Sequence, residues 1–315
     1  MITGIALPPS INYNSARELR AFLEERGLGM RKKFGQNFLI NPAARSRLLD
    51  ALELQGEDEV WEIGPGLGAM TAGLLERGAR VTAFEIDPAF VRLLRELFAP
   101  ASDETEVPVP AFRLIEGDVM KTWKTVSPQT PPEKLFLLGN LPYNVAAALL
   151  ADFIENGRFF KRIVVTVQRE VAIRMAAAPG SSDYSSFSVL CSSAYKVTPL
   201  SVIKGASFYP PPRVDSQGIR LDLISEREKK SKYFFPLVRA LFSSRRKTIR
   251  NTLSSFAASV IIGQNKQSGS KMSSVELAAE VLRLAGISGE RRPETLNVNE
   301  FTALAIFLEE TLSHE

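Results

Sequence analysis

The sequence predicts an α/β protein: a Rossmann-like, mostly parallel sheet with helices on both faces, followed by a smaller all-α C-terminal domain. Three observations carry this reading. From Val60 onward, short apolar runs at 60–63, 80–84, 112–116, 134–138 and 162–168 alternate with stretches of helical period, the pattern of strands joined by crossover helices. A glycine-rich turn, Gly64-Pro65-Gly66-Leu67-Gly68, follows the first run and opens a helix-forming stretch over 69–77. After Ser225 the chain turns helical and basic, with apolar positions at helical spacing in 233–244, 247–259, 275–284 and 298–312.

With 315 residues, 45% of them hydrophobic, the chain can bury one large core and a second smaller one. The expected division is an N-terminal extension at 1–30, the sheet domain at 31–224 and the helical domain at 225–315. Within the extension, 15–26 reads as an amphipathic helix with Leu19, Phe22 and Leu23 on one side, ending at Gly27. Three stretches read as surface loops: 99–110 and 127–133, each with three prolines, and 263–274, rich in Ser, Gly and Lys. Around Pro210 to Pro212, residues 200–223 return to strand-like sequence. The apolar runs are too short to cross a bilayer and Met1 to Ser10 lacks the basic flank of a signal peptide. A cytoplasmic protein with no membrane partner is expected.

The single cysteine, Cys191, excludes an internal disulfide, and with the single histidine, His314, it excludes a cluster of zinc-ligand spacing. Cys191 lies in an apolar stretch and reads as a small core residue. His314 is the penultimate residue, so mechanisms built on a histidine base lose it. No metal is expected. The charge is uneven along the chain: residues 225–292 carry fourteen basic against five acidic side chains, whereas 41–224 carry nineteen against twenty-two. Basic flanks around a near-neutral middle suit a polyanion, although a solvated charged face accounts for the same count.

Glycines at a strand-to-helix turn let the backbone approach a ligand closely. Here the third glycine falls four positions after the first, one short of the dinucleotide fingerprint, which argues against a nicotinamide-dependent dehydrogenase. The next strand ends at Glu85, twenty-one residues beyond Gly64, where a carboxylate can accept from both hydroxyls of a ribose. Asp87 before Pro88 reads as a helix N-cap. The third strand ends at Gly117-Asp118. Gly64, Gly66, Glu85 and Asp118 therefore gather on the carboxyl edge of the sheet, where open parallel sheets bind ligands, and an adenosine-containing ligand fits them.

The fourth strand delivers Asn140-Leu141-Pro142-Tyr143 to the same edge. The exocyclic nitrogen of adenine is a poor nucleophile because its lone pair is delocalised into the ring. The Asn140 side-chain oxygen and the main-chain carbonyl of Leu141 or Pro142 can accept from its two N–H groups and return electron density to nitrogen. Tyr143 can stack on the flat base. An already activated methyl donor needs neither a metal nor a strong base.

The chain resembles the KsgA (RsmA) family of ribosomal RNA adenine dimethyltransferases. The resemblance runs from about Arg31 to the C-terminus. It is carried by Lys32-Lys33-Phe34-Gly35-Gln36-Asn37-Phe38-Leu39, Glu62-Ile63-Gly64-Pro65-Gly66-Leu67-Gly68, Phe84-Glu85-Ile86-Asp87, Asn140-Leu141-Pro142-Tyr143-Asn144 and Gln168-Arg169-Glu170. Ser207-Phe208-Tyr209-Pro210-Pro211-Pro212-Arg213-Val214-Asp215-Ser216 and Arg245-Arg246-Lys247-Thr248-Ile249-Arg250-Asn251 complete the set, in the family's order. It implies a class I methyltransferase sheet, S-adenosylmethionine as the methyl donor, and cofactor contacts from Asn37, Leu39, Gly64, Gly66, Glu85, Asp118 and Asn140. It implies that Phe208 faces Tyr143 across the target base. The implied substrate is a pair of adjacent adenosines near the 3′ end of 16S ribosomal RNA in an immature small subunit, each methylated twice, with the enzyme acting as a monomer.

Two positions depart from the family pattern. Tyr184-Ser185-Ser186 stands where Tyr-Gly-x is usual, and Val145 to Ala148 lacks the usual polar groups. Arg245, Arg246, Lys247 and Arg250 are expected on a helix whose Phe242, Ile249 and Leu253 are buried, offering phosphate contacts. Arg31, Lys32 and Lys33 are expected to guide RNA toward the cofactor segment. Gln168-Arg169-Glu170 reads as structural. The alternative to an enzyme is a non-catalytic ribosome-assembly factor of the same fold.

Overall fold

The computed structural model describes residues 11–29, 36–98, 111–141, 145–225, 230–264 and 272–313. In chain order the first elements are α1 (Ala16–Glu25), β1 (Phe38–Leu39), α2 (Pro42–Asp50), β2 (Glu59–Ile63), α3 (Ala69–Glu76), β3 (Arg80–Glu85) and α4 (Pro88–Phe98). Then come β4 (Phe112–Glu116), α5 (Val119–Thr122), β5 (Leu135–Asn140), α6 (Ala146–Glu155), β6 (Arg162–Gln168), α7 (Arg169–Ala176) and α8 (Ser186–Ser192). The chain continues through β7 (Tyr195–Ile203), β8 (Phe208–Tyr209), β9 (Ser216–Leu223), α9 (Phe234–Phe242), α10 (Ile249–Gln264), α11 (Ser274–Ala285) and α12 (Val298–Ser313). The proline-rich loop at 99–110, most of the loop at 263–274, Pro142, Tyr143 and the basic trio Arg31, Lys32 and Lys33 lie outside the described residues.

Among the described residues the main sheet has seven strands in the order β4-β3-β2-β5-β6-β9-β7. The pairs from β4 across to β6 are parallel, and β9 runs antiparallel to β6. Strands β2, β5 and β6 are buried almost throughout, as parallel strands covered on both faces must be. The alternation of side chains shows both covers. Val60, Val81, Ala83, Phe136 and Leu138 join one core with Leu48 and Leu49 of α2, Leu74 of α3 and Leu94 of α4. Trp61 and Phe84 point the other way, and Trp61 meets Phe153 of α6 and Phe160 edge-on. This is the Rossmann-like sheet with helices on both faces that the sequence predicts.

Strand order reverses between β2 and β5. From β2 the chain builds outward through β3 and β4, then returns to place β5 on the other side of β2. The crevice at such a switch point is where open α/β sheets bind ligands.

The chain divides into two compact units, one of residues 1–172 and 196–223, the other of 173–195 and 224–315. The second unit therefore recruits a segment from before Ser225, and burial explains why. Tyr184 and Val189 sit in the second core with Phe234, Leu253, Leu277 and Phe301, and the Tyr184 hydroxyl donates to the Leu296 carbonyl at 3.0 Å. Cys191 is buried, its thiol pushed far up by burial. Ser185 stands where the family has glycine, and its backbone is extended, at φ −151°, so it needs no left-handed freedom; it forms a capping box with Ser188 at the start of α8. In the first unit, α1 starts on a Ser15 cap and buries Leu19 and Leu23 in the same core as the sheet. The 127–133 loop is fastened from inside, where the buried Glu59 carboxylate accepts from the Gln129 and Thr130 amides at 2.7 and 3.0 Å.

One helical expectation is corrected. Arg245, Arg246 and Lys247 lie in the turn between α9 and α10, and α10 begins only at Ile249. Its first amides are held by backbone carbonyls, Ile249 N–H by Arg291 and Arg250 N–H by Gly289, which sets the helix start after the basic run. At its other end α10 continues to Gln264, past the predicted stop at 259.

Candidate active site

Three strand ends and the segment before β1 build one cavity at the switch point. Gly64, Gly66 and Gly68 follow β2 with φ of +68°, +57° and +84°, a left-handed run that side chains resist. A Cβ on Gly66 would lie 3.0 Å from the Phe38 ring, so that ring packs directly on the turn. Phe38 in turn meets Phe90 of α4 edge-on at 5.6 Å. The Gly64 N–H donates to the Phe84 carbonyl, fixing the turn to the neighbouring strand.

Glu85, at the end of β3, is 4% exposed. Its carboxylate accepts from the Gly66 N–H at 3.1 Å and from the Asp87 N–H at 2.8 Å. Burial pushes its carboxyl above the ordinary range, opposed by those backbone donors. Asp87 accepts from the Ala89 N–H at 3.0 Å at the start of α4, as its N-cap reading requires. It also accepts from the Gln36 side chain at 2.9 Å.

Asn140 ends β5, in register with Thr166 of β6, and its side-chain N–H donates to the Asn37 main-chain carbonyl at 2.8 Å. That bond fixes which end of the amide is which: nitrogen is committed to Asn37 and Oδ1 is the end left to accept. Gly139 before it makes room for the next side chain, since a Cβ there would lie 2.7 Å from Leu141 Cδ2. Leu141 is buried and its N–H donates to the Thr166 carbonyl at 3.2 Å.

Asn37, Leu39, Gly64, Gly66, Glu85 and Asn140 all line this cavity. Three predicted residues do not: Leu141, whose side chain is buried, Asp118 and Phe208. Asp118 caps α5, its Oδ1 accepting from the Met120 N–H at 3.0 Å, and stands off the cavity wall. Phe208 is withdrawn into the core at 3% exposure, because β8 pairs antiparallel with β1 and sets Phe208 opposite Leu39. Pro142 and Tyr143 lie outside the described residues.

Several lining residues received no role from the sequence: Tyr13, Gln36, Phe38, Glu62, Ile86 and Phe90. Glu62, Gln36 and Ile86 sit inside the quoted motifs, so adjacency was their signal. Tyr13 had none. Glu62 is buried and accepts from the Thr71 hydroxyl at 2.7 Å. Desolvation, with Glu85 adding to it, pushes its carboxyl up to about 7. Among the described residues no cluster of three His, Cys, Asp or Glu side chains is spaced to hold a metal ion, and no helix is long and apolar enough to cross a membrane.

In the second unit Arg245, Arg246, Lys247 and Arg250 are all exposed. Arg245 donates to the Ser182 carbonyl at 2.9 Å, and Arg250 pairs with Glu290 at 3.1 Å. Among the described residues, the side chains of Arg246 and Lys247 make no hydrogen bond or ion pair.

A parallel run of strands with a left-handed glycine turn after its first strand, a buried carboxylate ending the second and the sequence Asn-Leu-Pro-Tyr at the end of the fourth defines a class I methyltransferase that acts on an amino nitrogen. A family model described as ribosomal RNA adenine dimethylase matches residues 27–280. The chain is 41% identical over 307 residues, 97% of its length and 98% of the relative's, to ribosomal RNA small subunit methyltransferase A of Treponema denticola. A dimethyladenosine transferase from Plasmodium falciparum superposes with a TM-score of 0.68 at 25% identity, covering 86% of this chain and 96% of that one. The 23S rRNA methyltransferase ErmE shares the fold, with a TM-score of 0.57 at 21% identity over 86% of this chain and 99% of that one. The chain belongs to the ribosomal RNA adenine dimethylase family. It is an S-adenosylmethionine-dependent methyltransferase.

The buried Glu62 carboxyl has a consequence for stability. Its folded value of about 7 lies above the 4.5 of an unperturbed glutamate. Between those values the folded state binds more protons than the unfolded state, so Glu62's contribution is present in acid and lost as pH rises through about 7. Glu62→Gln is expected to flatten the decline in Tm of the ligand-free protein between about pH 5 and 8 and to raise Tm at the alkaline end. Scanning calorimetry across that range checks it; parallel profiles for the two proteins would exclude the effect.

Proposed function

We propose that this enzyme dimethylates the N6 nitrogens of two adjacent adenosines near the 3′ end of 16S ribosomal RNA, acting in the cytoplasm as a monomer on an immature small subunit. The observation that carries the reading is the Asn140 amide, held by Asn37 so that its oxygen is the acceptor offered at the carboxyl edge of the sheet. The 41% identity to a small-subunit enzyme over nearly the full chain supports the small-subunit substrate.

The residues fit the methyl donor by chemistry. Glu85 is a buried carboxylate with acceptor capacity beyond its two backbone donors, suited to ribose hydroxyls. Phe38, Ile86 and Phe90 give apolar wall, and the glycine turn lets the chain come close. When bound, S-adenosylmethionine supplies a methyl group already activated by its sulfonium. The chain then orients the base. Asn140 Oδ1 accepts one N6–H, the Leu141 or Pro142 carbonyl accepts the other, and Tyr143 stacks on the ring. Both acceptors draw density onto N6 as it attacks, and positioning supplies most of the acceleration. The new N–C bond would form as the methyl–sulfur bond breaks, releasing S-adenosylhomocysteine, and the resulting cationic N6 is acidic enough to give its proton to water, so no histidine is needed. Phe208, paired with Leu39 across β8 and β1, backs the cavity wall from the core.

Arg245, Arg246, Lys247 and Arg250 are assigned to RNA phosphates, with Arg31, Lys32 and Lys33 as a second basic group. Three basic side chains just ahead of a helix N-terminus oppose the helix dipole. A phosphate between them offsets that repulsion through the side chains, since the first amides of α10 are held by the Arg291 and Gly289 carbonyls.

Incubation with labelled S-adenosylmethionine and undermethylated small subunits tests the function: label is expected in dimethyladenosine of 16S RNA. Label absent from adenine would leave the assembly-factor reading; label in large-subunit RNA instead would overturn the substrate. Asn140→Ala is expected to slow transfer on the order of 10²-fold, as loss of a preorganised hydrogen-bonding group does. Glu85→Ala is expected to weaken cofactor binding by roughly 1.5–3 kcal/mol, read by calorimetry; unchanged affinity would remove the ribose contact. For Arg246→Ala/Lys247→Ala the salt slope of RNA binding should fall by about 1.5 with cofactor affinity unaltered. An unchanged slope would take this turn off the RNA.

A further inference from the structure

Residues 11–26 lie ahead of every motif in the glycine turn, the strand ends and the Asn140 loop, yet they reach the cofactor cavity. Tyr13 lines it, and so does Leu19 of α1. The Tyr13 hydroxyl donates to the Leu67 carbonyl at 3.0 Å. Leu67 stands between Gly66 and Gly68, two left-handed positions with no side chain to hold them. From inside, the same turn is gripped by Glu85 through the Gly66 N–H. The turn is thus held from both sides: by a carboxylate on β3 and by a phenol from the N-terminal segment.

The phenol is itself fixed. Arg45 of α2 donates to the Tyr13 carbonyl at 3.3 Å, to the Leu39 carbonyl at 2.7 Å and to the Asn14 side chain. One guanidinium therefore ties the N-terminal segment to the strand that carries Phe38 and Leu39, both on the cavity wall. Leu19 and Leu23 anchor α1 in the sheet core. Burial pushes the Tyr13 phenol up to about 12, so its donor proton is kept across the physiological range.

We propose that Tyr13 is a positioning residue for the cofactor: through Leu67 it sets the glycine turn at the height at which S-adenosylmethionine meets Gly64, Gly66 and Glu85. The N-terminal segment is then part of the binding machinery. This rests on the cofactor reading of the cavity, and acts on ground-state binding without touching the base.

Tyr13→Phe keeps the ring and removes only the donor. Calorimetry of the full chain with S-adenosylhomocysteine is expected to show affinity reduced roughly three- to tenfold, the range of one lost hydrogen bond. In steady-state assays KM for S-adenosylmethionine should rise, with kcat at saturating cofactor and KM for small subunits unchanged. A structural role alone would lower Tm and leave the cofactor Kd where it was. Unchanged Kd in Tyr13→Phe beside a wild type that binds, or a loss confined to kcat, overturns the proposal. A wild type that does not bind S-adenosylhomocysteine overturns instead the cofactor reading beneath it.

Discussion

The hydrogen bond from the Asn140 side chain to the Asn37 carbonyl is the constraint on which the site turns. An unrestrained asparagine presents either end of its amide, and only the oxygen can accept from an amino group. Committing nitrogen to a main-chain carbonyl removes the choice. It also ties residues 36–39 to the carboxyl edge of the sheet: Asn37 reaches β5, Gln36 reaches Asp87 after β3, and Leu39 of β1 pairs with Phe208. This short stretch thereby spans the crevice from the end of β3 to the end of β5. A shift in that stretch would disturb both at once.

The crevice is built from groups that burial disfavours. Glu62 and Glu85 are both buried and both pushed toward their protonated forms by desolvation, with Glu85 adding to the cost at Glu62 and Asp87 to the cost at Glu85. Buried carboxylates persist where donors meet them. Glu85 takes two backbone amides from the turns it joins, whereas Glu62 has the Thr71 hydroxyl, a single donor. A cationic ligand in the cavity eases both carboxylates, so the field of the site favours a positively charged occupant before any specific contact is counted. The same carboxylates weaken the empty protein, and binding recovers what folding gives up here.

Much of this was legible in the sequence because the sheet is parallel and buried. Near-continuous apolar runs marked β2, β5 and β6, and their ends fixed where Gly64, Glu85 and Asn140 would converge. The α1 helix was legible from Ser15, Leu19 and Leu23. What escaped depends on contacts between distant residues. Asp118 follows a strand as expected, and its Oδ1 also caps α5, a use that strand position cannot reveal. Phe208 is drawn into the core by a two-residue pairing with β1. Tyr13 carries no motif, and its role exists only because Arg45 and α1 bring it to Leu67. The recruitment of 173–195 to the second unit turns on Tyr184 and Val189, two residues too sparse to register as a pattern.

The basic turn before α10 shows how a charge pattern misread as secondary structure still points to function. Read as helix, Arg245, Arg246 and Lys247 would be one solvated face among many. In the turn they stand at the positive end of a sixteen-residue helix, where each cation raises the local field and costs the helix stability. Charges that local stability opposes need a compensating partner. Glu290 answers Arg250 and a carbonyl answers Arg245, so the excess falls on Arg246 and Lys247. An anion drawn to that spot meets the two side-chain cations, the first amides of α10 being held by the Arg291 and Gly289 carbonyls. In the proposed function, a polyanion whose phosphates recur along a backbone meets that demand without any sequence being read.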